Sequence, residues 1–247
     1  MNSALHPSSL FRTATVIKWE DARRPRRAGE FFKGLSAKAM DDFESLAGHL
    51  CCPPATFLIK EDQEPISVML VYEGEVNLRI SSYAGKRFIL GIAGPGEILG
   101  LASAISGTPY RIEAEARRLC SLAVLKRQDF LDFLMRHPTA CQNVTRELSR
   151  QHTRTCERLR IVGLTSSATA RLAQLLLGWC TEGRETGGGT EIRFLLSHGE
   201  IGECIGASRE TVTRTLTDFK QRNLVEVNGS ILTVPNQDAL AVYAGIS

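Results

Sequence analysis

The 247-residue sequence predicts an α+β fold: an N-terminal antiparallel β-barrel or jelly roll, a long helix, and a C-terminal winged helix-turn-helix. Three observations carry that expectation. Residues 55–126 break into β-rich runs of four to eight residues separated by turn signals. Residues 127–162 then place apolar side chains at helical spacing. Residues 196–234 hold a capping box, a short turn, a second capped helix and a tight hairpin, in that order.

Composition bounds the function classes. The chain is 43% hydrophobic and 23% charged, enough to bury a core in one large or two modest domains. Lys+Arg 30 against Asp+Glu 27 gives net charge +3, which alone demands no nucleic-acid partner. No apolar run approaches the roughly 20 residues of a membrane span. The opening MNSALHPSSLFRTATVIKWEDARR has no signal-peptide apolar block, so a soluble cytoplasmic protein with no membrane partner is expected. Seven cysteines, at 51, 52, 120, 141, 156, 180 and 204, include no C-x-x-C pair. They read as reduced thiols, mostly small buried hydrophobes, and no metal or cofactor is expected.

Residues 1–30 are polar and basic, with Arg23, Arg24, Arg26 and Arg27 around Pro25, and read as a flexible arm. From 31 to 50, Leu35, Met40, Phe43 and Leu46 give a short amphipathic helix with Ser36 as N-cap. TFLIK, SVMLVY, EVNLRISS, RFILGIA and CSLAVL follow as strands, punctuated by Pro53-Pro54, Glu73-Gly74, Ala84-Gly85-Lys86 and Gly94-Pro95-Gly96. Such strands suit a barrel or jelly roll, assigned to 31–126, rather than a Rossmann sheet. There is no G-x-G-x-x-G after a strand and no P-loop, so a nucleotide-dependent enzyme loses its usual phosphate cradle.

The region 127–163 reads as a dimerisation helix, helical from about Arg127 to Val162. Cys141, Val144, Leu148, Gln151, Thr155, Leu159 and Val162 recur at steps of three and four, a near-heptad stripe that fits a homodimer. Gln151 and Thr155 make its centre polar, which fixes register and lowers stability. Gly163 is expected to break the helix, and Thr165-Ser166-Ser167 to cap the next, SATARLAQLLLGWC. There Leu172, Leu175, Leu176 and Trp179 form an apolar face, and Gly187-Gly188-Gly189 can turn between two short strands.

The segment 164–247 carries the most specific motif. Ser197 and Glu200 form an S-x-x-E capping box that starts a helix at His198; Ile201 and Ile205 are its buried face and Gly206 ends it. Ser208 caps a second helix from Arg209 to about Asn223, with Val212, Leu216 and Phe219 inward. LVEV and ILTV, joined by Asn228-Gly229, add a wing. Helix, three-to-four-residue turn and helix is the pattern whose second helix enters a DNA major groove. Arg209, Glu210, Thr213 and Arg214 lie on or beside its solvent face. Arginine can bond guanine O6 and N7 together, and glutamate accepts from cytosine N4–H.

S-R-E-T-V-x-R followed by a winged hairpin resembles the recognition helix of the Crp/Fnr superfamily of bacterial transcription regulators. The resemblance spans about residues 31–235, in the family's order of barrel, long dimerisation helix, hinge and winged helix-turn-helix, and takes in Gly74, Gly96 and Gly100. It implies a cyclic-nucleotide-binding-like barrel, a double-stranded inverted-repeat operator, RNA polymerase as a partner, and no enzymatic activity. Arg209, Glu210 and Arg214 match the base-contacting residues of the catabolite-activator type, which implies a TGTGA-like half-site. Thr213 stands where the family often has Gly or Ser. His198, Ser208, Thr211 and Lys220 are candidate phosphate contacts, from helix N-termini and flanking side chains. From residue 165 onward, 7 Lys/Arg face 9 Asp/Glu, so non-specific phosphate attraction should be modest.

The resemblance also marks where a cyclic-nucleotide cassette would lie. Leu101 stands at the ribose-binding Glu, Arg111 at the phosphate-binding Arg and Ile112 at the phosphate-binding Ser. Cys156 and Glu157 replace a Thr-Ser pair that touches the base. Leu101 and Ile112 supply no hydrogen bonds and Glu157 repels an anion, so an effector other than cAMP, or none, is expected. An iron–sulfur cluster would need an N-terminal cysteine group, and only Cys51-Cys52 lie near; His49 and His137 are haem-ligand candidates only by default. Two alternatives remain at this point. One is a ligand-sensing module acting through protein partners. The other is a cupin-like enzyme, although His6, His49, His137, His152 and His198 are dispersed.

Overall fold

The computed structural model describes residues 29–181 and 183–246. The arm expected over residues 1–30 thus lies outside the described residues, apart from Gly29 and Glu30. The chain forms two compact units, one running to Lys86 and over Leu90–Arg154, the other comprising Arg87–Ile89 and the chain from Thr155.

The first unit is an open jelly roll with a helical layer. After a 3-10 turn, Glu30–Phe32, comes α1 (Ala37–Leu46), whose N-cap Ser36 accepts from the Ala39 N–H. Eight strands follow: β1 (Gly48–Cys52), β2 (Phe57–Ile59), β3 (Ser67–Glu73), β4 (Val76–Ser81), β5 (Arg87–Ala93), β6 (Ile98–Leu99), β7 (Glu113–Ala116) and β8 (Cys120–Lys126), with α2 (Leu101–Ser106) between β6 and β7. They make two four-stranded sheets, ordered β1-β8-β3-β6 and β2-β7-β4-β5, not a closed barrel. Successive side chains of a strand point to opposite faces, so the unbroken apolar run of β3 serves two cores at once. Met69 and Val71 join Leu50, Leu122 and Ala114 between the sheets. Val68, Leu70 and Tyr72 join Phe31, Phe43, Phe130 and Phe133 under the helices.

Strands β1, β6 and β7 and helix α2 were not among the expected elements. The sequence EAEA of β7 consists of poor strand formers, but its period-two alternation puts Ala114 and Ala116 into the core.

The helix expected from Arg127 to Val162 is two helices, α3 (Arg127–Arg136) and α4 (Pro138–Leu164). The break is at His137, with φ −127° and ψ 84°. A proline disfavours helical geometry in the residue before it and suits the first position of a new helix. Gly163 does not break α4, which ends one residue later. The expected stripe is also divided. Val144 is buried in the helical core with Leu148 packed against it, while Cys141 and Leu159 are exposed. Asn143 fixes this end of α4 by donating to the carbonyls of Phe31 (2.9 Å) and Lys33 (2.8 Å).

The second unit packs α5 (Ala168–Cys180) against α6 (His198–Ile205), α7 (Arg209–Gln221) and α8 (Gln237–Ala244). A four-stranded antiparallel sheet completes it, ordered β11 (Glu226–Asn228), β12 (Ile231–Val234), β10 (Gly189–Arg193) and β9 (Arg184–Thr186). Asn228 pairs with Ile231, so the wing turns on Gly229 and Ser230 rather than Asn228-Gly229. Gly229 takes φ +58°, which favours glycine. Helix α8 was not expected; Asn236 caps it and Leu240 is buried.

Candidate nucleic-acid interface

The turn between α6 and α7 is set by local chemistry. The Ser197 hydroxyl accepts from the Glu200 N–H, and the Glu200 carboxylate accepts from the Ser197 N–H at 2.8 Å, a complete capping box. Gly206 closes α6 at φ +64° and Ser208 caps α7 by accepting from the Thr211 N–H. The turn folds back so closely on α6 at Gly202 that a Cβ there would lie 2.6 Å from the Ala207 carbonyl oxygen. Val212, Thr215, Leu216 and Phe219 bury the inner face of α7.

That packing leaves Ser208, Arg209, Glu210, Thr213, Arg214 and Lys220 exposed, with Thr211 and His198 half-buried. No carboxylate among the described residues forms an ion pair with Arg209, Arg214 or Lys220. The Glu210 backbone N–H, the Ser208 hydroxyl and then Arg209 hold the Glu210 carboxyl below the usual carboxylate range. His198 and Thr213 meet, Nδ1 to Oγ1 at 2.8 Å, and the same hydroxyl lies 2.9 Å from the Arg209 carbonyl oxygen. Burial, then Lys220 and Arg209, push the His198 pKa down. A hollow of about 420 Å³ beside them is lined by Ser197, His198, Gly199 and Arg209.

Three features were not legible in advance. Arg171 of α5 donates to the carbonyls of Ile205 (2.7 Å) and Thr165 (3.0 Å), tying the end of α6 to the start of α5. The His198–Thr213 link joins two residues 15 apart that were read separately. Cys52 and Cys120 are register partners on β1 and β8 with thiols in hydrogen-bond contact, which with burial pushes the Cys52 thiol up. Only the last carries a trace in the sequence, in Cys120 at the head of the strand-like run CSLAVL.

The effector candidates take separate places. Arg111 is exposed and paired with Asp62 at 3.2 Å. Leu101 is buried in the helical core, Ile112 is half-buried, and Cys156 and Glu157 are exposed on α4. The default haem candidates have protein partners: His49 stacks on Tyr72 at 5.8 Å and His137 Nε2 lies 2.9 Å from Asp42. All seven cysteines are free thiols, four of them buried. Among the described residues no group of three His, Cys, Asp or Glu is placed to hold a metal.

Two sequence families match the chain, a cyclic nucleotide-binding domain over residues 51–137 and a Crp-like helix-turn-helix domain over residues 170–243. They occur in the order that the structure displays, jelly roll then winged helix. The chain belongs to the Crp/Fnr superfamily. Among its relatives, the transcriptional activatory protein AadR of Rhodopseudomonas palustris is 27% identical over 188 residues, covering 76% of this chain and 77% of that protein. A CRP-like cAMP-activated global transcriptional regulator of Mycobacterium tuberculosis is 24% identical over 216 residues, covering 87% of this chain and 96% of that protein. In fold, the chain resembles a mutant of CooA from Carboxydothermus hydrogenoformans, with TM-score 0.74, 20% identity, and 90% and 98% of the two chains covered. It also resembles FixK2 from Bradyrhizobium japonicum, with TM-score 0.69, 21% identity, and 80% and 96% covered. The protein is therefore a DNA-binding transcription regulator of the Crp/Fnr type, not an enzyme, and the cupin-like reading falls.

Gly74, one of the glycines that the resemblance takes in, has φ +93° between β3 and β4. A Cβ there would lie 2.5 Å from the Leu119 carbonyl oxygen, so the close approach of the β7–β8 turn requires glycine. No helix among the described residues is long and apolar enough to cross a membrane.

Proposed function

We propose that this regulator works as a cytoplasmic homodimer that reads an inverted repeat of TGTGA-like half-sites and acts on RNA polymerase. The observation that carries the reading is the first half of α7, where Arg209 and Arg214 are exposed without an ion-paired carboxylate, five residues apart on a helix whose other face is buried. Each would take a guanine, with Glu210 accepting from a cytosine on the partner strand. Thr213 would pack between them. Ser208, Thr211, His198 and Lys220 would contact phosphates.

The dimer seam we infer differs from the stripe first read in the sequence. Val144 and Leu148 are spent on the helical core. The exposed line on α4 is Cys141, Thr145, Ser149, His152, Cys156, Leu159 and Gly163, again at steps of three and four. Leu159, 60% exposed, is its largest apolar member.

The effector, if one exists, is not cAMP. Leu101 and Ile112 give a ribose hydroxyl and a cyclic phosphate nothing to bond. Arg111 keeps anion chemistry but would have to leave Asp62 to use it. Cys156 and Glu157 would offer an effector a thiol and a negative charge. Selection of bound DNA from a random library with the purified protein, repeated with and without cyclic nucleotides, tests the whole reading. Enrichment of a TGTGA-like inverted repeat, unchanged by cAMP, is the expected result, and enrichment of no sequence would refute it.

A further inference from the structure

We propose that His198 can grip the DNA backbone only after taking up a proton at Nε2, so that DNA affinity carries a proton linkage imposed by Thr213. The inference rests on the DNA-binding reading above, with His198 set against a phosphate, and adds to it a regulation by pH.

The geometry is a short chain of hydrogen bonds. The Thr213 hydroxyl owns one proton and lies 2.9 Å from the Arg209 carbonyl oxygen, four residues back in α7. A carbonyl oxygen only accepts, so that proton is spent there. What the hydroxyl presents to His198 Nδ1, 2.8 Å away, is a lone pair, and Nδ1 must carry the hydrogen. A neutral imidazole has one N–H, so Nε2 is left bare. A phosphate oxygen is also only an acceptor. The two can meet only if Nε2 is protonated and the ring becomes a cation.

The surroundings make that uptake a consequence of DNA binding rather than a standing condition. The cationic groups that reach His198 are Arg209 and Lys220, both on α7. On its own helix, Glu200 is engaged by the Ser197 N–H and hydroxyl at 2.8 and 2.9 Å. Burial and the two cations push the ring's pKa down and so favour its neutral form in the free protein. A phosphate entering the hollow lined by Ser197, His198, Gly199 and Arg209 reverses the balance by adding a negative charge. The sign follows from linkage. The complex has the higher histidine pKa, so affinity rises as pH falls through the interval between the two values and is flat outside it.

The test is operator affinity at constant ionic strength from about pH 8 to about pH 6, the range in which histidine titrates, for the wild type, His198→Gln and Thr213→Val. The wild type should tighten by about three- to tenfold per pH unit per half-site, the upper limit for one proton. His198→Gln should lose this slope, because an amide N–H donates at any pH. Thr213→Val, which removes the acceptor at Nδ1, should also lose it, because the neutral ring is then free to carry its hydrogen on Nε2. Nitrogen-15 imidazole shifts of the free wild type should report Nδ1–H. Equal slopes for the wild type and His198→Gln, or a free protein with Nε2–H, would overturn the inference while leaving DNA binding intact. Failure of the wild type to bind DNA at every pH would overturn both readings.

Discussion

Arg209, Glu210 and Arg214 differ in what they are free to do. The two arginines have no carboxylate partner among the described residues, so nothing must be broken before they bond a base. Arg209→Ala or Arg214→Ala should each cost about 1–3 kcal/mol per half-site and relax preference at one base pair. Competition binding against single-base operator variants checks this. Glu210 is different, because its own backbone N–H, the Ser208 hydroxyl and Arg209 already favour its charged form. Glu210→Ala should therefore strengthen non-specific binding while relaxing choice at the cytosine. Unchanged base preference would leave the glutamate no part in base readout. Asn143 is a structural counterpart. It satisfies two carbonyls with one buried amide, and Asn143→Ala should destabilise the first unit by about 1–3 kcal/mol, read by urea unfolding.

At the level of elements, the approach of α6 to α7 and the outer line of α4 matter most. Gly202 admits no side chain without moving the Ala207–Ser208 turn. Gly202→Val should abolish operator binding while leaving the unfolding of the jelly-roll unit unchanged, because it displaces α7 rather than the strands. Helix α4 has one buried and one exposed face. Asn143, Val144 and Glu147 are buried against the protein's own core, while Cys156 and Leu159 are exposed. Cys156→Asp with Leu159→Asp should give monomers in sedimentation and weaken operator binding, whereas Leu148→Asp should lower stability instead. A double variant that stays dimeric would place the seam elsewhere.

For the whole molecule, charge and symmetry set the expected behaviour on DNA. The 7 Lys/Arg against 9 Asp/Glu from residue 165 onward give the DNA-binding half a negative balance. Attraction to arbitrary sequence should accordingly be weak, and specificity should come from a few placed arginines. A two-fold dimer would set its recognition helices about 34 Å apart, one helical turn of DNA, so half-site centres should share that spacing. Adding about five base pairs between the half-sites rotates one of them to the opposite side of the duplex and should abolish tight binding in a mobility-shift titration. Calorimetry should find no tight cAMP site, since the family resemblance sets Leu101 and Ile112, which offer no side-chain hydrogen bonds, at the ribose and phosphate positions.

The winged helix-turn-helix was legible in the sequence because its determinants are local. Ser197 with Glu200, Gly206, Ser208, and the apolar spacing of Val212, Leu216 and Phe219 each act over a turn or two of chain, and each stands in the structure as the sequence predicts. The long strands were legible for the same reason, through runs such as SVMLVY. What only the tertiary structure decided depends on partners far away in the chain. The strand state of EAEA comes from its pairing with β4, and the division of α4 between two faces comes from Phe31 and the helical core packing on one of them. Arg171 finds Ile205 across 34 residues, and His198 finds Thr213 across 15, where the turn closed over Gly202 brings α7 back beside α6. Periodicity states that a residue has a buried or a solvent side. Whether the buried side meets its own core or a second copy is set by packing, which a single strand of sequence does not contain.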